Sequence, residues 1–307
     1  MADLSNEIFS RDLAMALSET TASDHIAQST VTRKILIIDC ADAQGLIAKI
    51  TGVCFAHHLN VIKNTEFVDH AQGRFFMRTV LDGKINDAEF ISALKAVLPA
   101  KNHLKLVDAG KKRIVVMVTK EAHCLGDLLM KSYYGGLDVE IAAVVGNYDV
   151  LQNLTEKFDI PYHFVSHEGL NREEHEQAML EVIQPYDTDY LVLAKYMRVL
   201  TPEFVAQFPD RIINIHHSFL PAFIGASPYK QAWDRGVKII GATAHFVNNC
   251  LDEGPIIKQD VISVDHSYSA EELAHQGRDV EKSVLSKALQ LVLNEQVVVY
   301  GNKTVVF

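Results

Sequence analysis

Beyond residue 110 the chain alternates between two kinds of segment, and that rhythm limits its fold more than any single residue does. RIVVMVTK (113–120), VEIAAVVGN (139–147), DYLVLAK (189–195) and RIINIHH (211–217) are short runs rich in Val, Ile and Leu. Between them lie stretches with helical spacing, among them HCLGDLLMKSYYGG (123–136) and LNREEHEQAMLEVIQPY (170–186). A strand that is apolar on both faces needs cover on both faces. Helices that cross back between parallel strands supply it. The pattern therefore predicts an α/β domain with a doubly wound, mainly parallel sheet. IIGATAHFV (239–247) and PIIKQDVISV (255–264) read as antiparallel additions late in that sheet. A long amphipathic helix follows over 269–294, with Ser269 as N-cap and Glu272 three residues on. VVVYGNKTVVF (297–307) closes the chain as a hairpin turning at Gly301-Asn302.

The preceding unit has a different grammar. KILIIDC (34–40) is strand-like, and QGLIAKITGVCFAHHL (44–59) has helical spacing. The stretch 60–83 alternates on both sides of DHAQG, as a hairpin does. NDAEFISALKAVLPA (86–100) opens on Asn86 with Glu89 three residues later, a capping-box pattern, and HLKLVDAG (103–110) is a last strand. The order β-α-β-β-α-β in so few residues is the ferredoxin-like arrangement. The expected organisation is an N-terminal extension over 1–32, a ferredoxin-like domain over 33–110, and the parallel-sheet domain over 111–307. Within the extension RDLAMALS (11–18) has the pattern of a short amphipathic helix, but the stretch is polar and weakly periodic.

A net charge of −10, with no basic run beyond GKKR (110–113), argues against a nucleic-acid partner. No apolar segment approaches a membrane span, and the N-terminus lacks a signal-peptide pattern, so a cytoplasmic protein with no membrane partner is expected. Cys40, Cys54, Cys124 and Cys250 are scattered without a Cys-x-x-Cys pair, which fits free thiols. His163 and His167 are spaced for a metal, but no nearby Cys or carboxylate group completes a set, and no metal is expected. The loop after the first strand of the second domain, VTKEAHCLGD (118–127), lacks the glycine cluster that closes around a phosphate.

Chemistry concentrates in NIHHSFLPAF (214–223). In open α/β sheets ligands bind beyond the carboxyl ends of the strands. Alternation puts Asn214 and His216 on one face, about 7 Å apart, and sends His217 to the other. An amide and an imidazole so placed can both donate to one developing oxyanion. A strand end where polar groups meet water is the competing reading, and spacing leaves both open. Asp252, in a loop between two apolar strands, can reach a neighbouring strand end and form a base–orienter pair with His216. Asp-Glu-Gly-Pro (252–255) is equally sound turn chemistry. In LAKYMRVLTPEFV (193–205) a strand end passes through a loop bearing Arg198 to a helix capped by Thr201 and Pro202. Ser227 and Pro228 read as a second such start.

NIHHSFLPAF, GATAHFV (241–247) and LDEGPII (251–257), in that order, resemble the folate-dependent formyltransferase domain, with its Asn-x-His at a strand end and Asp in an Asp-x-Gly loop. The resemblance covers residues 112–300 and implies a Rossmann-like formyltransferase sheet. DAQGLIAKITGVCFAHHLNV (42–61) resembles an ACT domain, an amino-acid-sensing or oligomerising module. ACT followed by formyltransferase is similar to the architecture of the formyltetrahydrofolate deformylases. That resemblance implies hydrolysis of 10-formyltetrahydrofolate to formate and tetrahydrofolate, supplying formate for purine synthesis and balancing the one-carbon pool. It implies Asn214, His216 and Asp252 as the catalytic set. Met197, Arg198, Val199 and Leu200 fall on the pterin loop, and Asn248 and Asn249 on the loop closing over the folate. Folate is then substrate rather than cofactor, and no separate cofactor is expected. The chain is expected to form a homo-oligomer, with an amino-acid effector near Asp42, Gly45 and Leu46. Two departures from the glycinamide ribonucleotide formyltransferases stand out: TKEAHCLGD replaces their Gly/Ser-rich phosphate loop, and His217 replaces the usual Pro. Both favour water over a phosphorylated amine as acceptor.

Overall fold

The computed structural model describes residues 33–222 and 227–307. The N-terminal extension, with its RDLAMALS helix, lies outside the described residues, as does Phe223 at the end of the histidine motif. The first unit consists of β1 (Arg33–Ala41), α1 (Leu46–Ala56), β2 (Asn60–Asp69), β3 (Arg74–Asp82), α2 (Asp87–Val97) and β4 (Asn102–Asp108). Its strands pair antiparallel in the order β2-β3-β1-β4. Leu36, Ile38, Leu46, Ile50, Phe90 and Leu94 pack the helices onto one face of this sheet. Asn86 caps α2 by accepting from the Glu89 amide.

The second unit runs β5 (Lys112–Val118), α3 (His123–Tyr133), β6 (Val139–Gly146), α4 (Gln152–Glu156), β7 (Tyr162–Phe164), α5 (Arg172–Ile183), β8 (Tyr190–Leu193), α6 (Pro202–Ala206) and β9 (Ile212–His216). It continues through α7 (Pro228–Arg235), β10 (Ile239–Phe246), β11 (Ile256–Ser263) and α8 (Ala270–Leu293) to the hairpin of β12 (Val297–Tyr300) and β13 (Lys303–Val306). Seven strands form one sheet in the order β11-β10-β9-β8-β5-β6-β7. β5 to β9 are parallel, and β10 and β11 are antiparallel additions. Alternate residues of β5 feed opposite cores: Ile114, Val116 and Val118 pack with α3 and α8, while Val115 and Met117 pack with α5. This two-sided burial is why the strands read as unbroken apolar runs.

Strand order reverses between β5 and β8, so the loops leaving them part at their carboxyl ends and open a crevice. The candidate site lies beside that crevice, beyond the ends of β8 and β9 and against the loop after β10. α8 begins in a complete capping box, Ser269 with Glu272. Gly277 lets α7 approach it, since a Cβ at that position would fall 2.0 Å from the Tyr229 hydroxyl. Thr201 caps α6 through its side chain, whereas Ser227 before α7 is left-handed and makes no cap bond. Capping needs an extended backbone that aims the hydroxyl at the first turn, and Ser227 lacks it.

The two units meet at the far end of α8. Arg78, buried on β3, donates from Nε to the Glu295 carbonyl (2.9 Å) and from Nη2 to the Asn294 carbonyl (2.7 Å). Lys105 Nζ stands 2.6 Å from Glu295 Oε2. Phe76 meets Tyr300 of the C-terminal hairpin edge-on, with ring centroids 5.2 Å apart. Among the described residues no helix is long and apolar enough to cross a membrane.

Candidate active site

β9 ends at His216, and antiparallel pairing with β10 sets His245 opposite Asn214 and Thr243 opposite His216. The loop after β10 turns back at Gly254, where an added Cβ would lie 1.8 Å from the Phe246 carbonyl oxygen. Glycine is therefore required for the backbone to close there. The turn holds Asp252 in a left-handed conformation (φ 58°) and places its Oδ1 3.3 Å from His216 Nδ1. The side chains of both are more than nine-tenths buried. With Nδ1 turned to the carboxylate, His216 Nε2 is left buried and without a protein partner.

Asn214, His216 and Asp252 thus converge, as their order in the chain led one to expect. They line a chamber of about 360 Å³. Met197, Arg198, Val199 and Leu200 form one wall of it, and Asn248 and Asn249 another. The proposed effector residues lie apart from it, at the start of α1. Gly45 is left-handed there (φ 80°), Asp42 is exposed and donates its amide to the Gly73 carbonyl, and the Leu46 side chain is buried in the first core.

His245 is the residue that the motif reading missed. Its Nδ1 lies 2.8 Å from the Phe246 carbonyl oxygen, so Nδ1–H donates there and Nε2 accepts from the Asn214 amide at 3.2 Å. That bond orients the Asn214 side chain and leaves its second N–H for a ligand. The signal in the sequence was a histidine inside the apolar run IIGATAHFV. His217, one residue past the end of β9, stands beside Tyr229 of α7 (ring centroids 6.0 Å apart), on the α8 side that Ile213 and Ile215 also face, with its ring 5.3 Å from that of His216.

Burial raises the Asp252 carboxyl, but the hydrogen bond and charge of His216, with the charges of His245 and His217, hold it below the ordinary carboxylate range. Burial holds His245 low, outweighing its bond to the Phe246 carbonyl. His217 is pushed down to about 4, by burial and then by the charge of Lys195, and is neutral at pH 7.

Met197 and His217 also border a second chamber of about 450 Å³. Its floor is Glu281 of α8, which meets Tyr229 Oη at 2.6 Å, His123 Nε2 at 2.7 Å and Lys195 Nζ at 3.2 Å. His123, Cys124 and Glu281 are close enough to share a metal ion, but the Lys195 ammonium already stands against that carboxylate. His163 and His167 do not converge: His163 bonds to the Tyr186 hydroxyl, while His167 packs on Tyr148 and His175. Cys40, Cys54, Cys124 and Cys250 are all free thiols.

Two family models match the chain, "Formyl transferase" over residues 112–289 and "ACT domain" over residues 34–99. A curated formyltetrahydrofolate deformylase from Escherichia coli (strain K12) is 64% identical over 277 residues, spanning 90% of this chain and 99% of that protein. The chain belongs to the formyltetrahydrofolate deformylase family. The crystal structure of a formyltetrahydrofolate deformylase from Pseudomonas syringae agrees, with a TM-score of 0.86 and 36% identity. That match covers 95% of this chain and 99% of that one. A glycinamide ribonucleotide transformylase from Symbiobacterium toebii is more distant, with a TM-score of 0.62 and 28% identity over 64% of this chain and 94% of that one. The mixed fold, an ACT domain followed by a formyltransferase-type sheet, is that of the deformylase family along nearly its whole length.

Proposed function

We propose that the chain hydrolyses the formyl amide of 10-formyltetrahydrofolate with water as the acceptor, releasing formate and tetrahydrofolate. The observation that carries this reading is His216. Its Nδ1 faces Asp252, its Nε2 has no protein partner, and its ring lines the chamber beside Asn214. The folate ring occupies that chamber against residues 197–200 and 248–249, with the formyl group at Asn214 and His216. Water adds to the formyl carbon, and the carbonyl electron pair moves onto oxygen. The free N–H of Asn214 and the Nε2–H of charged His216 stabilise that oxyanion. Collapse of the adduct breaks the C–N bond, the nitrogen takes a proton given up by the attacking water, and the acid leaves as formate with its other proton released to solvent.

Asp252 is held ionised, and a carboxylate with a lowered pKa is a weak base. Its role in this reading is to hold the His216 ring through Nδ1 and to orient the water, rather than to remove the proton unaided. Folate is the substrate, and the step requires no further cofactor. The enzyme works in the cytoplasm as a homo-oligomer. Its ACT domain, over residues 33–110, binds a small amino acid near Asp42 and Gly45 and adjusts turnover. The test is incubation of the purified chain with 10-formyltetrahydrofolate and no amine, with formate measured enzymatically. Formate and tetrahydrofolate should appear in equal amounts; no formate without an amine overturns the reading.

A further inference from the structure

The wall of the Asn214–His216 chamber formed by residues 197–200 is not part of a helix or strand, yet a loop that holds a flat ligand must keep one shape. Its first end is held by several contacts. Lys195 is left-handed (φ 61°) and buried against Glu281, and the Met197 amide donates to Thr119 Oγ1 at 2.9 Å. Its second end rests on one residue. Glu176 of α5, 4% exposed, receives the Thr201 amide at 2.9 Å on one carboxylate oxygen and the Thr201 hydroxyl on the other. The same Thr201 oxygen accepts from the Phe204 amide and so caps α6. One turn further along α5, Met179 accepts from the Tyr196 hydroxyl at 3.2 Å, so a single helix face grips both flanks of the loop.

We infer that Glu176 is a positioning residue for the folate: through Thr201 it fixes the loop that forms the wall of the folate chamber. This rests on the reading that the chamber holds folate. A carboxylate buried this far is costly unless both oxygens are hydrogen-bonded, and here both are spent on one residue at the loop's end. Glu176 touches neither the formyl group nor the catalytic set. Its removal therefore weakens ground state and transition state alike, raising KM with little change in kcat. Leaving a buried amide and hydroxyl without their acceptor costs about a factor of ten or more in binding.

The experiment compares wild type, Glu176→Ala, Glu176→Gln and Thr201→Val. KM and kcat are measured for formate release, and the Kd for tetrahydrofolate by calorimetry. Glu176→Ala should raise KM and Kd roughly ten-fold or more, with kcat within a factor of about three. Glu176→Gln, which can still accept the Thr201 amide, should restore most of the loss. If Glu176→Ala fails to fold, Thr201→Val decides, and it should raise both constants in the same way. A lowered melting temperature with KM and Kd unchanged would assign Glu176 to the fold alone and overturn the inference. If wild type binds tetrahydrofolate but releases no formate, the hydrolase reading falls, while the Kd series still tests the positioning role.

Discussion

The Glu281 cluster offers a quantitative test of the electrostatics beside the site. Glu281 is 1% exposed. Burial alone raises its pKa, yet hydrogen bonds from His123 and Tyr229 and the charge of Lys195 bring it from 4.5 down to about 2. A carboxylate whose folded pKa is depressed contributes stability that is present above its unfolded pKa and lost as pH falls toward the folded value. At about 1.4 kcal/mol per pH unit, the interval from 4.5 to about 2 corresponds to roughly 3 kcal/mol at neutral pH. Glu281→Gln keeps the shape but removes the charge, and leaves buried Lys195 with only the longer contact to Glu121 (3.8 Å), so a loss of about 3–5 kcal/mol is expected at pH 7. Urea unfolding followed by circular dichroism reads it. The gap to wild type should narrow by roughly 1 kcal/mol when the titration is repeated at pH 3.5. Adding Lys195→Met should recover part of the loss, since it removes the stranded charge. A Glu281→Gln midpoint equal to wild type at pH 7, or a gap unchanged at pH 3.5, would mean that the Glu281 charge does not stabilise the fold.

Three further outcomes follow from the geometry. Asn214→Ala removes an oxyanion donor and should lower kcat by about 10²–10³ with tetrahydrofolate binding retained, as single-turnover kinetics would show. Gly254→Ala places a methyl carbon 1.8 Å from the Phe246 carbonyl oxygen, so the Asp252 loop must move. Formate release should collapse while the melting temperature falls only modestly. Arg78→Ala strands the Asn294 and Glu295 carbonyls where the two units meet, and should cost about 1–3 kcal/mol in urea unfolding.

Much of this fold could be read from local patterning, because its strands and helices sit where patterning is strongest. Two-sided apolar runs gave the parallel strands, and the Ser269 and Asn86 caps marked helix starts that the structure retains. The Asn214–His216 alternation held because both residues lie within β9, and His217, just past its end, stands by Tyr229 on the α8 side. What stayed hidden depended on contacts distant in sequence. His245 supports Asn214 only because β10 pairs with β9 in one register. Glu176 meets Thr201 across 25 positions, and Glu281 meets His123 across 158. Buried glutamates in helices have no sequence signature that separates them from solvent-facing ones. Gly254, by contrast, was visible as a turn residue, but the reason that no side chain fits there is the Phe246 backbone.

In the proposed reaction water takes the formyl group, and isotope labelling follows the oxygen it delivers. Wild-type protein is incubated with 10-formyltetrahydrofolate in ¹⁸O-enriched water, with and without glycinamide ribonucleotide, and the products are read by mass spectrometry. Formate should carry one oxygen from the solvent per turnover, at the same rate whether or not the amine is present. Formyl groups recovered on the amine, with no labelled formate in its absence, would contradict hydrolysis.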